Sequence, residues 1–199
     1  MSVKSASIVL SKALPLRKAI HVSTIFLLFL LKHLPREADI AILVSLSVVA
    51  GTIELLRLTV PKFKEYFIRE LGSLLKDDEK RGKPTGATFL ICSMTLAYIL
   101  FPFKIFYYAS LIAILVDGLT PVFTAIIFQR NGKDHTHLIT FLISGVIVAF
   151  IVNSGIPILV KLTGSITIAL IEYFNPPPDD NIYAEFLGAL IIYLLFKAS

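Results

Sequence analysis

Between Lys104 and Arg130 the chain carries one charged side chain, Asp117, inside an apolar run long enough to cross a lipid bilayer. A carboxylate at bilayer depth costs about 2.5–3.5 kcal/mol even on lenient insertion scales, so such groups face a bundle interior and a cation, a proton path or a substrate. At helical spacing its face continues through Thr120 and Thr124, which makes a polar stripe on an apolar helix. The plain alternative is a protonated acid hydrogen-bonded to a neighbouring helix. Gly118 and Pro121 beside it predict a locally irregular helix, a feature tolerated at membrane depth where backbone lines protein or a water-filled cavity.

Similar runs recur along the whole chain. Hydrophobic residues make up 56% of the sequence, well above a soluble domain. Apolar segments fall at about 18–34, 38–60, 85–103, 105–128, 138–153, 156–174 and 182–197. The expected fold is therefore all-α: a polytopic integral membrane protein of about seven transmembrane helices in a single domain, 1–199. The fifth and sixth segments, parted by Asn153-Ser154-Gly155-Ile156-Pro157, can also be read as one bent hairpin. The basic N-terminal stretch is followed by no small-residue cleavage site, so it reads as a retained first helix.

Fourteen of the nineteen Lys and Arg residues lie at the N-terminus and in the even-numbered loops. That asymmetry predicts a cytoplasmic N-terminus, and it accounts for the net charge of +5 without nucleic acid. Within the largest loop, residues 61–80 place Phe63, Phe67, Leu71, Leu74 and Leu75 on one face, the pattern of a cytoplasmic interfacial helix or of a soluble amphipathic helix packed on the loops. The lone Cys92 sits inside an apolar segment and says nothing of redox compartment.

Polar groups gather at the predicted cytoplasmic ends of these segments. Arg17, Lys18 and His21 share the mouth of the first, where two cations and an imidazole can hold phosphates or simply anchor the helix. Glu54 and Arg57 are spaced to pair on the second. Glu79 precedes Gly86-Ala87-Thr88, where glycine allows close backbone approach and free N–H groups attract anions. Asn131-Gly132-Lys133-Asp134-His135-Thr136-His137 forms the next inner loop, and His137, Thr140 and Ser144 follow on one helical face. Its histidines with Asp134 can ligate a metal or stand as an exposed loop. Asp179-Asp180-Asn181 either caps the last helix or meets magnesium and phosphate. No GxxxxGK[ST] loop is present. Together these groups point to phosphate handling at the membrane surface.

In this order the residues resemble the CTP-dependent lipid kinases, the family of dolichol kinase, phytol kinase and the yeast-type diacylglycerol kinase. The resemblance rests on Arg17-Lys18-x-x-His21, Glu54-x-x-Arg57, Glu79 with Gly86-Ala87-Thr88, Leu100-Phe101-Pro102, Asp117, Gly132-Lys133, Ser144-Gly145 and Asp179-Asp180-Asn181. The chain departs from the family pattern after Asp117, where Thr124 and Phe128 stand near positions of paired glycines and His135, Thr136 and His137 replace a lysine. The resemblance implies transfer of the γ-phosphate of CTP to a long-chain lipid alcohol with Mg²⁺. Asp117 or His21 would then accept the hydroxyl proton. Arg17, Lys18, Arg57, Gly86, Thr88, Gly132, Lys133, Ser144 and Gly145 would hold the nucleotide, and Asp117, Asp179 and Asp180 the metal. Glu54, Glu79 and Asn181 would support them. Two other functions suit the same residues: a cytidylyltransferase making a CDP-lipid, and a non-enzymatic transporter or assembly factor with Asp117 on an ion path.

Overall fold

The computed structural model describes residues 3–128, 135–152 and 154–199, and every regular element among them is helical. In chain order these are α1 (Val3–Leu31), α2 (Arg36–Thr59), α3 (Pro61–Leu71), α4 (Asp77–Arg81), α5 (Gly86–Leu100), α6 (Phe103–Phe128), α7 (His135–Ile151) and α8 (Ile158–Phe174). The last, α9 (Asp180–Ala198), contains a π-helical turn over Tyr183–Leu187.

Local chemistry sets the ends. Pro61 opens α3 at the first helical position, where its missing N–H costs nothing. Glu37 and Asp39 lie in the first turn of α2 and Arg57 in its last, each complementing the helix dipole. Thr85 caps α5 by accepting from the Thr88 amide. Asn175, in the left-handed region at φ 48°, ends α8. Pro35, Pro102 and Pro157 precede helices, where proline forbids continuation of the helix before it.

Residues 61–80 do not form the continuous amphipathic helix expected from their pattern. α3 stops at Leu71, and a turn carries the chain to α4. The cause is a new helix start: the Glu79 carboxylate folds back to accept the Lys76 amide at 2.6 Å, so Leu74 and Leu75 sit in the turn and leave the Phe63–Phe67 face. α3 buries none of its residues.

Helices α6, α7 and α8 pack together, α2 lies on α5, α1 on α6, and α9 on α8 and α6. Leu28, Leu43, Met94, Ile105, Phe106, Ile112, Ile168 and Ile192 form the inner apolar contacts. Small residues let the backbones close up. A Cβ at Gly164 would come within 2.4 Å of Ile192 Cγ1, and one at Gly188 within 2.7 Å of Ile168 Cγ1. These two glycines, one on each helix, interlock α8 with α9. Gly164→Ala should therefore lower stability by about 1–3 kcal/mol, the usual cost of overpacking. A melting curve of the variant in detergent checks it.

Beside this apolar core, several polar groups are enclosed and several large apolar ones lie outside. Arg57, Ser110, Thr120, Ser144, Ser165 and Glu185 are buried, while Phe26, Phe150, Ile151, Leu159 and Phe174 are between 66% and 78% exposed. Among the described residues, α2 and α9 are long and apolar enough to cross a membrane, and α5 and residues Leu138–Ile151 are shorter apolar helices.

Candidate functional site

α1 presents Arg17, Lys18 and His21 on adjacent faces of two successive turns, and α6 brings Asp117 up to them. Lys18 Nζ donates to Asp117 Oδ1, and His21 Nε2 lies 3.6 Å from Asp117 Oδ2. Gly118 permits this approach, because a Cβ there would fall 2.1 Å from Val22 Cγ2. The four polar groups remain reachable: the Lys18 side chain is 28% exposed and that of Asp117 15%.

A second layer surrounds the first turn of α5. Both terminal nitrogens of Arg17 reach the two Glu79 carboxylate oxygens at 3.4 Å, the forked geometry a guanidinium makes with a planar anion. Glu79 Oε1 also accepts the Gly86 amide at 2.8 Å. A Cβ on Gly86 would sit 3.1 Å from Arg17 Nη2 and 3.3 Å from Asp179 Oδ2, so any larger residue would push the ends of those side chains aside by a few tenths of an ångström. Asn181 Nδ2 donates to the Gly86 carbonyl at 3.4 Å and to Asp179 Oδ1 at 2.6 Å. Lys76 Nζ pairs with Asp179 Oδ2 at 3.6 Å.

Behind them stands a buried strut. Arg57 donates to Glu54, to the Glu79 carbonyl at 2.6 Å and to the Lys83 carbonyl. Glu54 Oε2 in turn accepts from the Thr85 amide at 3.2 Å and hydroxyl at 3.0 Å, and from the Thr88 hydroxyl at 3.3 Å. At the edge, the Lys83 ammonium donates to Asp78 at 3.0 Å and holds that carboxyl below the usual carboxylate range.

Arg17, Lys18, His21, Glu79, Gly86, Asp117, Asp179 and Asn181 thus come together from four distant parts of the sequence. Other residues singled out from the sequence sit differently. Arg57 has no exposed surface, and its bonds go to protein, so its geometry is that of a strut and not of a phosphate clamp. The N–H groups of Thr85 and Gly86 face Glu54 and Glu79, so carboxylates occupy the helix start where an anion was expected, and Thr88 points its hydroxyl at Glu54. Ser144 accepts from Thr120 at 3.5 Å, and a Cβ at Gly145 would lie 3.1 Å from the Ser165 carbonyl; both belong to the packing of α6, α7 and α8. Asp179 caps α9, accepting the Asn181 amide at 3.2 Å, as Asp180 also does at 3.2 Å. Gly132 and Lys133 lie outside the described residues.

Sequence reasoning missed three polar groups. Lys76 pairs with Asp179, but its place in a basic loop hid that. Glu172 on α8 is buried and shares the electrostatic field of Asp117, Asp180 and Lys18. Glu185, also buried, accepts from Ser110, and its Oε1 has no partner. A lone acid in an apolar run, the signal that exposed Asp117, was present for both glutamates.

Among the described residues no group of three or more His, Cys, Asp or Glu side chains is placed to hold a metal ion. Asp134, of the loop in which a metal was one expectation, lies outside the described residues. Compared with known proteins, the chain matches no family model, no curated protein and no solved structure.

Proposed function

We propose that this chain is a multi-pass membrane enzyme of about seven spans that transfers the γ-phosphate of CTP to the hydroxyl of a long-chain lipid alcohol, with its site at the cytoplasmic face. The observation that carries the reading is the meeting of Arg17, Lys18 and His21 with Asp117, beside Glu79, Gly86 and Asn181. The outward apolar surface and inward polar groups suit a lipid surround. Charge asymmetry of the loops supports the orientation.

In this mechanism Arg17 and Lys18 exchange their carboxylate partners for nucleotide phosphates, a substitution of one oxyanion for another. Asp117, or Asp179 with Asp180, are the residues that would hold a Mg²⁺ ion brought by the nucleotide, which when bound would neutralise phosphate charge. The alcohol oxygen attacks the γ-phosphorus, the bond to the β-phosphate oxygen breaks, and CDP leaves. The hydroxyl proton passes to Asp117, with His21 as the alternative acceptor. Exposed aliphatic and aromatic side chains accept acyl or prenyl tails alike, so the acceptor's chain is not selected by polarity. Product analysis tests the reaction type: CDP and a phosphorylated lipid mark the kinase, whereas pyrophosphate and a CDP-lipid mark a cytidylyltransferase.

Glu172 and Glu185 favour a second reading. Buried acids in series with Asp117 are also what a proton or ion path needs. Proton-coupled flux in proteoliposomes, together with absence of nucleotide binding, would select it.

A further inference from the structure

At the opposite end of the bundle a separate cavity of about 220 Å³ is lined by Leu31, Lys32, Arg36, Asp39, Tyr98 and Phe103 among others. Tyr98 lies twelve residues beyond Gly86 on α5, about 18 Å along the axis at 1.5 Å per residue, so this cavity is distinct from the Asp117 cluster.

Asp39 is its most constrained member. The residue is 2% exposed; Tyr98 donates to its Oδ2 at 2.6 Å, and its Oδ1 is buried with no partner. Leaving a buried acceptor unsatisfied is costly, more so when it is charged, so a donor from outside the chain is favoured there. Lys32 and Arg36 are exposed at the rim, and Arg36 directs one N–H to the Ile99 carbonyl at 3.4 Å. Leu31 and Phe103 supply apolar wall, and the neighbouring Ile99 and Leu100 are exposed. The volume is below the ~300–1,000 Å³ of a pocket that encloses a drug-sized ligand. It suits a head group whose chains lie outside, along the helices.

We infer that this cavity binds the head group of a phosphoethanolamine lipid, with the ammonium on Asp39 Oδ1 and the phosphodiester between Lys32 and Arg36. The inference rests on the membrane embedding proposed above and not on the kinase chemistry. A choline head group has no N–H to give Asp39. A serine head group brings a second carboxylate against it. A glycerol head group satisfies the two cations but offers no countercharge to the buried acid.

The test is a titration of the full-length protein, delipidated in detergent, with dioleoyl lipids bearing ethanolamine, choline or glycerol head groups, bound lipid being counted by native mass spectrometry. Ethanolamine lipid should bind at least about tenfold more tightly than choline lipid, the scale of one hydrogen bond to a charged group. Asp39→Asn, which keeps an acceptor for Tyr98, should abolish that preference; a Lys32→Gln, Arg36→Gln pair should weaken ethanolamine and glycerol lipids together. Equal binding of ethanolamine and choline lipids by the unaltered chain would overturn the inference whatever the variants do, as would tightest binding of glycerol lipid or a preference that survives Asp39→Asn. No nucleotide enters the assay, so failure of the kinase reading leaves its outcome unaffected.

Discussion

Asp117→Asn is expected to reduce the proposed phosphoryl transfer by about two to four orders of magnitude, the range removed with a general base. Asparagine matches aspartate in size and can still accept from Lys18 through Oδ1, so the contact between α1 and α6 survives. What it loses is the charge that balances Lys18 and His21 and the capacity to take a proton from the acceptor alcohol. The loss should fall on kcat, because Arg17 and Lys18 remain to bind phosphates. Steady-state kinetics in nanodiscs resolve the two terms. A rise in KM with unchanged kcat would instead make Asp117 a partner that merely orients Lys18. His21→Gln run alongside separates the two proposed proton acceptors: if the imidazole is the base, this variant and not Asp117→Asn carries the larger drop in kcat.

The second large effect is on stability. Arg57→Met should cost about 3–5 kcal/mol, the penalty of breaking a buried ion pair by removing one partner. Arg57 is fully enclosed, and its guanidinium fastens the end of α2 to the Glu79 and Lys83 carbonyls. Without it, Glu54 keeps a buried charge and two carbonyls lose their donor. Typical domains are stable by only about 5–15 kcal/mol, so much of the protein should unfold. A double change, Glu54→Gln with Arg57→Met, should lose less than Arg57→Met alone, because no unpaired carboxylate remains. Thermal melts of the three variants form the cycle that measures this coupling. Additive losses would mean that Arg57 and Glu54 act on stability independently.

Much of the site was legible because charge inside an apolar run is conspicuous. Asp117 stood alone between Lys104 and Arg130, and the spacing of Glu54 and Arg57 forecast their contact. Which remote groups meet was not legible from spacing. Arg17 pairs with Glu79, 62 residues on, and Lys18 with Asp117, 99 residues on; tertiary packing alone selects such partners. The loop signal at Gly86 was read as room for an anion, yet the chain's own carboxylates satisfy those N–H groups, since an acid nearby answers the same electrostatic demand as a phosphate; of the two readings of Asp179-Asp180-Asn181, the helix cap is the one the structure shows. The break after Leu71 was obscured because Leu74 and Leu75 continue the apolar period, while the helix start that Glu79 makes depends on a side chain folding back. The all-helical fold followed from composition and segment length, whereas the π-turn at Tyr183–Leu187 leaves no periodic trace in five residues.

The proposed kinase activity is tested most directly by incubating the purified protein in lipid nanodiscs with Mg²⁺ and γ-labelled CTP or ATP, offered polyprenols, phytol, geranylgeraniol and diacylglycerol, with Asp117→Asn in parallel. Label is expected in a lipid alcohol with CTP and not ATP, and is expected to be lost in the variant. Absence of label from every lipid, with the protein folded and the nucleotide intact, would contradict the proposed activity.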